Sequence, residues 1–139
     1  MPLIRLAEMN DAAPIFDLAQ SFATSFTVEQ QAFHHALSEL IANQDAFIAV
    51  AENQGQIIGY VLGFDHYTFF ANGRVAWVEE ITVHECHRLN GIGRLLMARF
   101  EEWSRSRGAK LIALATRRAS PFYLALGYEE SATYFRKLM

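Results

Sequence analysis

Between the apolar run that ends at Val83 and a following helical pattern, the chain reads Arg88-Leu89-Asn90-Gly91-Ile92-Gly93-Arg94. The opening turn of a helix exposes N–H groups with no intrahelical acceptor and carries the positive end of the helix dipole, so it can hold an anion without cationic side chains. Glycines at 91 and 93 let the backbone approach phosphate oxygens and adopt conformations costly for other residues. The N–H groups from Leu89 to Arg94 are therefore candidate phosphate donors. A dinucleotide fingerprint would need another glycine where Leu96 stands, and a P-loop would need Gly-Lys-Ser/Thr, which is missing.

Glu79 and Glu80 lie in the middle of the β-rich run Val75 to Val83. A strand entering a parallel unit is ordinarily almost continuously apolar, so two acids there are costly unless they face a site. Adjacent strand residues point to opposite faces, so without a bulge only one of the pair lines a given pocket. His84, Glu85, Cys86 and His87 raise a zinc reading, but no second ligand cluster completes it, and they read better as the loop into the glycine turn; no metal is expected. Cys86 as a nucleophile has no evident His-acid arrangement around it.

The run Val83 to Leu96 resembles the acyl-CoA motif of the GNAT N-acetyltransferases: a strand, then Arg/Gln-x-x-Gly-x-Gly/Ala, then a leucine-rich helix. Phe122-Tyr123-Leu124-Ala125-Leu126-Gly127-Tyr128 is similar to the same family's Phe-Tyr-x-x-Leu-Gly-Phe/Tyr element, and the two motifs stand in the family's order. The resemblance covers essentially the whole chain. It implies an acetyl-CoA-dependent transfer of acetyl to a primary amine of a small molecule or protein, by direct attack in a ternary complex. It implies further that the strand ending at Val83 and the strand Lys110 to Ala115 splay apart around the pantetheine arm. Ile81, Thr82 and Val83 would then contact the arm in the manner of strand addition, while Arg88, Leu89, Asn90, Gly91, Ile92, Gly93 and Arg94 hold the diphosphate. Thr116, Ser120, Phe122 and Tyr123 would contact the cofactor from the other side. The family often has Asn where Thr116 stands, and Ser120 is read instead as a helix cap with Pro121 at the first position. Glu79 or Glu80 matches the family's base, and Tyr123 matches its acid, a hydroxyl that starts protonated and can give its proton to the leaving thiolate. An acyl-CoA sensor of the same fold, without catalysis, is the alternative.

These residues need elements to position them. Leu3 to Ala7 reads as a first strand, and Asn10-Asp11 caps a helix with Ile15, Leu18, Ala19 and Phe22 on its apolar face. Thr27-Val28-Glu29-Gln30 resembles a capping box opening a second helix with Phe33, Leu37, Leu40 and Ile41 buried. His34 and His35 sit on its surface. Ala46 to Ala51 and Gln56 to Phe64 form a hairpin, and Asn72-Gly73 turns into Val75 to Val83. Asp65, His66 and Tyr67, with Phe22 and Phe26, reach the acceptor side. A helix from about Gly91 to Arg107 ends at Gly108 and leads to the strand Lys110 to Ala115, completing a βαβ unit. A short helix from Ser120 to Leu126 stops at Gly127, and Tyr128 to Leu138 returns as strands. The class is α+β: by the resemblance, a mixed, mostly antiparallel sheet of about six or seven strands with flanking helices. An exposed edge among the terminal strands offers a surface for a homodimer.

The whole composition fits one globular domain over residues 1–139, with 52% apolar and 19% charged residues and no low-complexity run. A net charge of -3 gives no general attraction to nucleic acid or anionic membrane. Arg117-Arg118 is too short a cluster for a nucleic-acid footprint. No apolar run approaches the roughly 18 residues that span a bilayer. The single cysteine, Cys86, fits a reducing compartment, and the cytoplasm is expected.

Overall fold

The computed structural model describes residues 1–139. Its sheet has five strands in the order β1 (Leu3–Leu6), β2 (Ala46–Asn53), β3 (Gln56–Thr68), β4 (Gly73–Val83) and β5 (Leu111–Leu114). Neighbours pair antiparallel except β4 and β5, which run parallel with Val75 opposite Leu111 and Val78 opposite Leu114. The hairpin between β2 and β3 turns through Gln54 and Gly55, both at positive φ (51° and 79°). That backbone matches the twist of the two strands. Asn72, at φ 60°, makes the turn into β4.

Alternation along β2 divides the core between two faces. Phe47, Ala49 and Ala51 face α3 (Ile92–Ser106), whose Ile92, Leu96, Met97 and Phe100 are buried against them. Ile48 and Val50 face α1 (Ala12–Phe22) and α2 (Gln30–Ala42), meeting Ile15, Leu18, Ala19 and Leu37. Each fully buried Val, Leu, Ile, Met or Phe among them contributes on the order of 1.5–3 kcal/mol. The last helix, α4 (Ser120–Ala125), places Tyr123 in the α3-side core. No helix is long and apolar enough to cross a membrane.

Several expectations are corrected. The sheet stops at five strands because 128–139 forms none, so the terminal-strand edge offered for a homodimer is not formed. Those residues open with Glu129-Glu130-Ser131 and are held by side chains instead of a backbone ladder: Tyr128 donates to Glu101 (2.7 Å), Tyr134 stacks on Trp77, and Arg136 donates to Ser25 (2.9 Å). The Thr27–Gln30 capping box is not made either, since α2 begins at Gln30 with Glu29 before it and no side-chain cap. Asp11 is not a side-chain cap for α1. It accepts from the Glu8 N–H (2.8 Å) and takes a two-pronged bond from Arg5 (2.9 and 2.8 Å), which holds its carboxyl below the usual range.

Asp65 does not reach an acceptor site. Its carboxylate is fully buried and accepts from Arg74 (2.7 Å) and Arg107 (2.9 Å), and both arginines also reach Asp45. One buried charge thus ties β3, the start of β4, the end of α3 and the connection before β2. Removing one partner of a buried ionic network typically costs about 3–5 kcal/mol, because the remaining charges lose their compensation. With the arginines partly exposed, Asp65→Asn is expected to lower unfolding stability by about 3 kcal/mol in chemical denaturation. A loss under about 1 kcal/mol would show that this cluster does not hold the elements together.

Candidate active site

The register of β4 changes in its middle. Gly63 of β3 pairs with Val78, but Leu62 pairs with Glu80, which leaves Glu79 as an extra residue. Ala76 and Val78 pack toward α3 before this bulge, and Ile81 and Val83 do so after it. The alternation has slipped by one residue, so Glu79 and Glu80 both leave the α3 side and lie on the face shared with Tyr60 and Leu62. Tyr60, 1% exposed, donates its hydroxyl to Glu80 Oε1 at 2.7 Å. Burial and the Glu80 charge push the Tyr60 proton affinity up, so the hydroxyl remains a donor. Glu79 has no hydrogen-bond partner. Desolvation, with the neighbouring Glu80 charge second, raises its pKa above the ordinary carboxyl value.

Pairing between β4 and β5 ends at Val78 and Leu114. From Glu79 to Val83 the edge of β4 toward β5 is free, and it opens on a cleft of about 2660 Å³. That is well beyond the ~300–1,000 Å³ of an enclosed small-molecule pocket. The cleft is a trench running from Arg88 past Glu79, Glu80, Ile81 and Thr82 to the connection between α1 and α2.

At one end of the trench the glycine turn enters α3. A short 3₁₀ turn, Glu85–His87, leads in, with the His84 ring accepting from the Cys86 N–H at 3.2 Å. Leu89 and Gly91 take positive φ, 67° and 80°. An added Cβ at Gly91 would meet nothing within 4 Å. Its backbone therefore needs glycine, and the space beside it stays open for a ligand. The first intrahelical bond runs from the Leu95 N–H to the Gly91 carbonyl (3.1 Å), which leaves the N–H groups of Ile92, Gly93 and Arg94 without helical acceptors. Arg88 folds back and donates to the Val83 carbonyl at 3.1 Å.

Across the wedge, Phe122 lies over the turn, close enough that a Cβ on Gly93 would sit 3.2 Å from its ring. Tyr123 meets Phe122 edge-on at 4.9 Å and is 8% exposed. Its hydroxyl has no protein partner, yet no fully buried side-chain polar atom is unsatisfied, so it opens into the trench. Burial raises its pKa, which keeps the proton on at neutral pH.

Comparison with known proteins decides what this arrangement is. The acetyltransferase (GNAT) family model matches residues 13–128. The chain belongs to the GNAT family of acetyltransferases. The GNAT match spans the glycine turn, the bulged strand and the Phe122-Tyr123 helix together. The chain is similar to the uncharacterized N-acetyltransferase YhfO of Bacillus subtilis, 26% identical, with 94% of this chain and 92% of that protein covered. It is also similar to an aminoalkylphosphonate N-acetyltransferase of Salmonella typhimurium, 29% identical over 81% of this chain and 75% of that protein. An aminoglycoside N-acetyltransferase solved with CoA shares the fold at a TM-score of 0.86 and 19% identity, over 99% of this chain and 95% of that one. The protein is thus a GNAT-family N-acetyltransferase, of a family that uses acetyl-CoA.

Within this GNAT fold, Ile81, Thr82 and Val83 lie along the free edge and Arg88 to Arg94 form the turn. Thr116 does not point freely at the cleft: its hydroxyl accepts from the Ala119 N–H at 3.1 Å. Ser120, read as a cap, is the first residue of α4, whose N-terminus has Ala119 before it and no side-chain cap. His66 and Tyr67 are exposed beyond the Asp65 cluster, with Arg74 over the Tyr67 ring. Sequence reasoning missed Tyr60, Trp77 and Tyr134. Tyr60 looks like any strand aromatic until the bulge sets Glu80 beside it.

The raised pKa of Glu79 gives a stability test. The native state binds this proton more tightly than the unfolded chain, so Glu79 opposes folding increasingly as pH rises from its ordinary value of 4.5 through the raised one. Solvent screening keeps the effect small. Glu79→Gln should melt about 1–2 °C above the wild type at pH 7.5, with the gain shrinking by pH 4. A variant less stable at pH 7.5 would contradict the raised affinity.

Proposed function

We propose that the whole of residues 1–139 acts as one domain that transfers acetyl from acetyl-CoA directly to a primary amine held in the same trench. The observation that carries this reading is the adjacency of three features: the unpaired N–H groups of the glycine turn, just beyond Arg88 at the end of the trench, the free edge of β4 and the unpartnered Tyr123 hydroxyl.

The N–H groups from Leu89 to Arg94 hold the diphosphate, and Gly91 keeps the approach clear. Arg88 and Arg94 add charge at the rim. Backbone groups of Ile81 and Val83 bond the pantetheine arm in place of the missing strand pairing. The Val83 carbonyl, already bonded by Arg88, contributes at most its second lone pair. Thr116, Ser120 and Phe122 wall the other side.

Acetyl-CoA supplies the thioester whose acyl carbon the amine attacks. Glu79 accepts the ammonium proton, directly or through a water. Its unpartnered carboxylate, with a pKa raised above the ordinary carboxyl value by desolvation and then by the Glu80 charge, is a stronger base than an exposed glutamate. Glu80, fixed by Tyr60, supplies the negative charge that draws the ammonium in. Tyr123 gives its proton to the thiolate as the C–S bond breaks, and the second nitrogen proton, released as the amide forms, returns to the Tyr123 oxygen through water. No step needs a metal ion.

Calorimetry should detect micromolar-scale binding of acetyl-CoA, abolished in Gly91→Glu, where a carboxylate enters the phosphate space. No binding to the wild type would refute the proposal. Tyr123→Phe should lower kcat by about 10²-fold or more, within the usual range for a lost general acid, while acetyl-CoA affinity changes less than threefold. Unchanged kcat would remove Tyr123 from the acid role.

A further inference from the structure

The face of β4 opposite α3 carries more than two acids. Trp77 precedes Glu79 by two residues, so both project from the same face about 7 Å apart along the strand. The chain's last segment comes to this place: the Tyr134 ring stacks on Trp77, with centroids 6.5 Å apart and planes inclined by 26°. Two residues later Arg136 bonds Ser25, in the connection between α1 and α2. Phe22 at the end of α1 and Phe26 in that connection, 41% and 71% exposed, line the same trench. Trp77 and Tyr134 thus adjoin Glu79, and the two phenylalanines share its trench.

Glu79 and Glu80 lie on this face, and Arg136 beside it bonds the neutral Ser25. Arg88, Arg105, Lys110, Arg117 and Arg118 also line the trench, toward the glycine turn, α3 and β5. An acceptor with an acidic group close to its amine would bring that anion against two carboxylates. One with a flat apolar body would cover rings that are otherwise wet.

We propose that the acceptor is an arylalkylamine: a primary ammonium group on a short alkyl arm, carrying an aromatic body and no acidic group. The ammonium meets Glu79 and Glu80, and the ring extends the Trp77–Tyr134 stack. The inference rests on the acetyltransferase reading above, since the unpartnered Tyr123 hydroxyl opens into the same trench as the two carboxylates and places the reacting thioester there.

The test compares initial rates of thiol release from acetyl-CoA with four amines: tryptamine, phenethylamine, butylamine and 2-aminoethylphosphonate. For the two arylalkylamines kcat/KM should exceed that for butylamine by about tenfold or more, the discrimination an apolar pocket can give, and should exceed that for the phosphonate further. Trp77→Ala should bring the arylalkylamine advantage over butylamine below about threefold. Tyr134→Ala, on a residue 60% exposed and outside every helix and strand, should do the same without risk to folding. Equal or better use of butylamine or the phosphonate would overturn the proposal, as would retention of the preference in both variants. Acetyl-CoA binding without turnover of any of the four would overturn it too, leaving the transferase reading intact. Failure of the wild type to bind acetyl-CoA would remove that reading itself.

Discussion

Strand β4 is paired on both edges only as far as Val78. Backbone N–H and C=O groups in a sheet are ordinarily all bonded, so a stretch from Glu79 to Val83 with one edge free is unusual for the middle of a structure. It exists because β5 is short and is followed by a turn, held by the Thr116 hydroxyl on the Ala119 N–H, that carries the chain away from the sheet into α4. The free edge fixes where an extended ligand can add a strand. The glycine turn lies at the end of that edge because it is the same chain, a few residues further on.

The bulge at Glu79 depends on the same departure from regular pairing. With strict alternation, one of the two glutamates would be driven into the apolar packing of Leu96, Met97 and Phe100, at the cost of a buried charge. The extra residue lets Val78 and Ile81 both keep that face while both acids turn to the other. Tyr60 then offsets part of the desolvation of Glu80 with a donated hydrogen bond, and Glu79 is left without a partner. The two carboxylates differ in role because their surroundings differ, although they are neighbours in sequence.

Much of the fold is written in local chemistry. Asn72, Gly91, Gly108 and Gly127 mark turns because their positive φ is a local requirement, and all four hold that conformation here. The Phe122-Tyr123 helix and the alternation of β2 are equally local. The features that escaped a sequence reading depend on distant partners. Asp65 lies 42 residues from Arg107 and 20 from Asp45, and nothing near it distinguishes a structural ion cluster from a site acid. The slip in β4 is present in the spacing of Ala76, Val78, Ile81 and Val83. Yet Val75 and Trp77 are apolar as well, so the period is masked. The last segment has the residues of a strand at Thr133 to Phe135, but side chains from Trp77 and Ser25 hold it across the trench instead of along an edge.

The free edge of β4 and the turn into α3 form one binding surface for an extended, diphosphate-bearing ligand. Backbone amide resonances of the isotope-labelled chain, followed during a titration with CoA, put that surface to the test. Saturable shifts are expected at Ile81 to Val83 and Leu89 to Arg94, with the amides of Leu3 to Leu6 and Ala46 to Asn53 little moved. Saturable shifts centred away from these two segments, or none at all, would rule the single surface out.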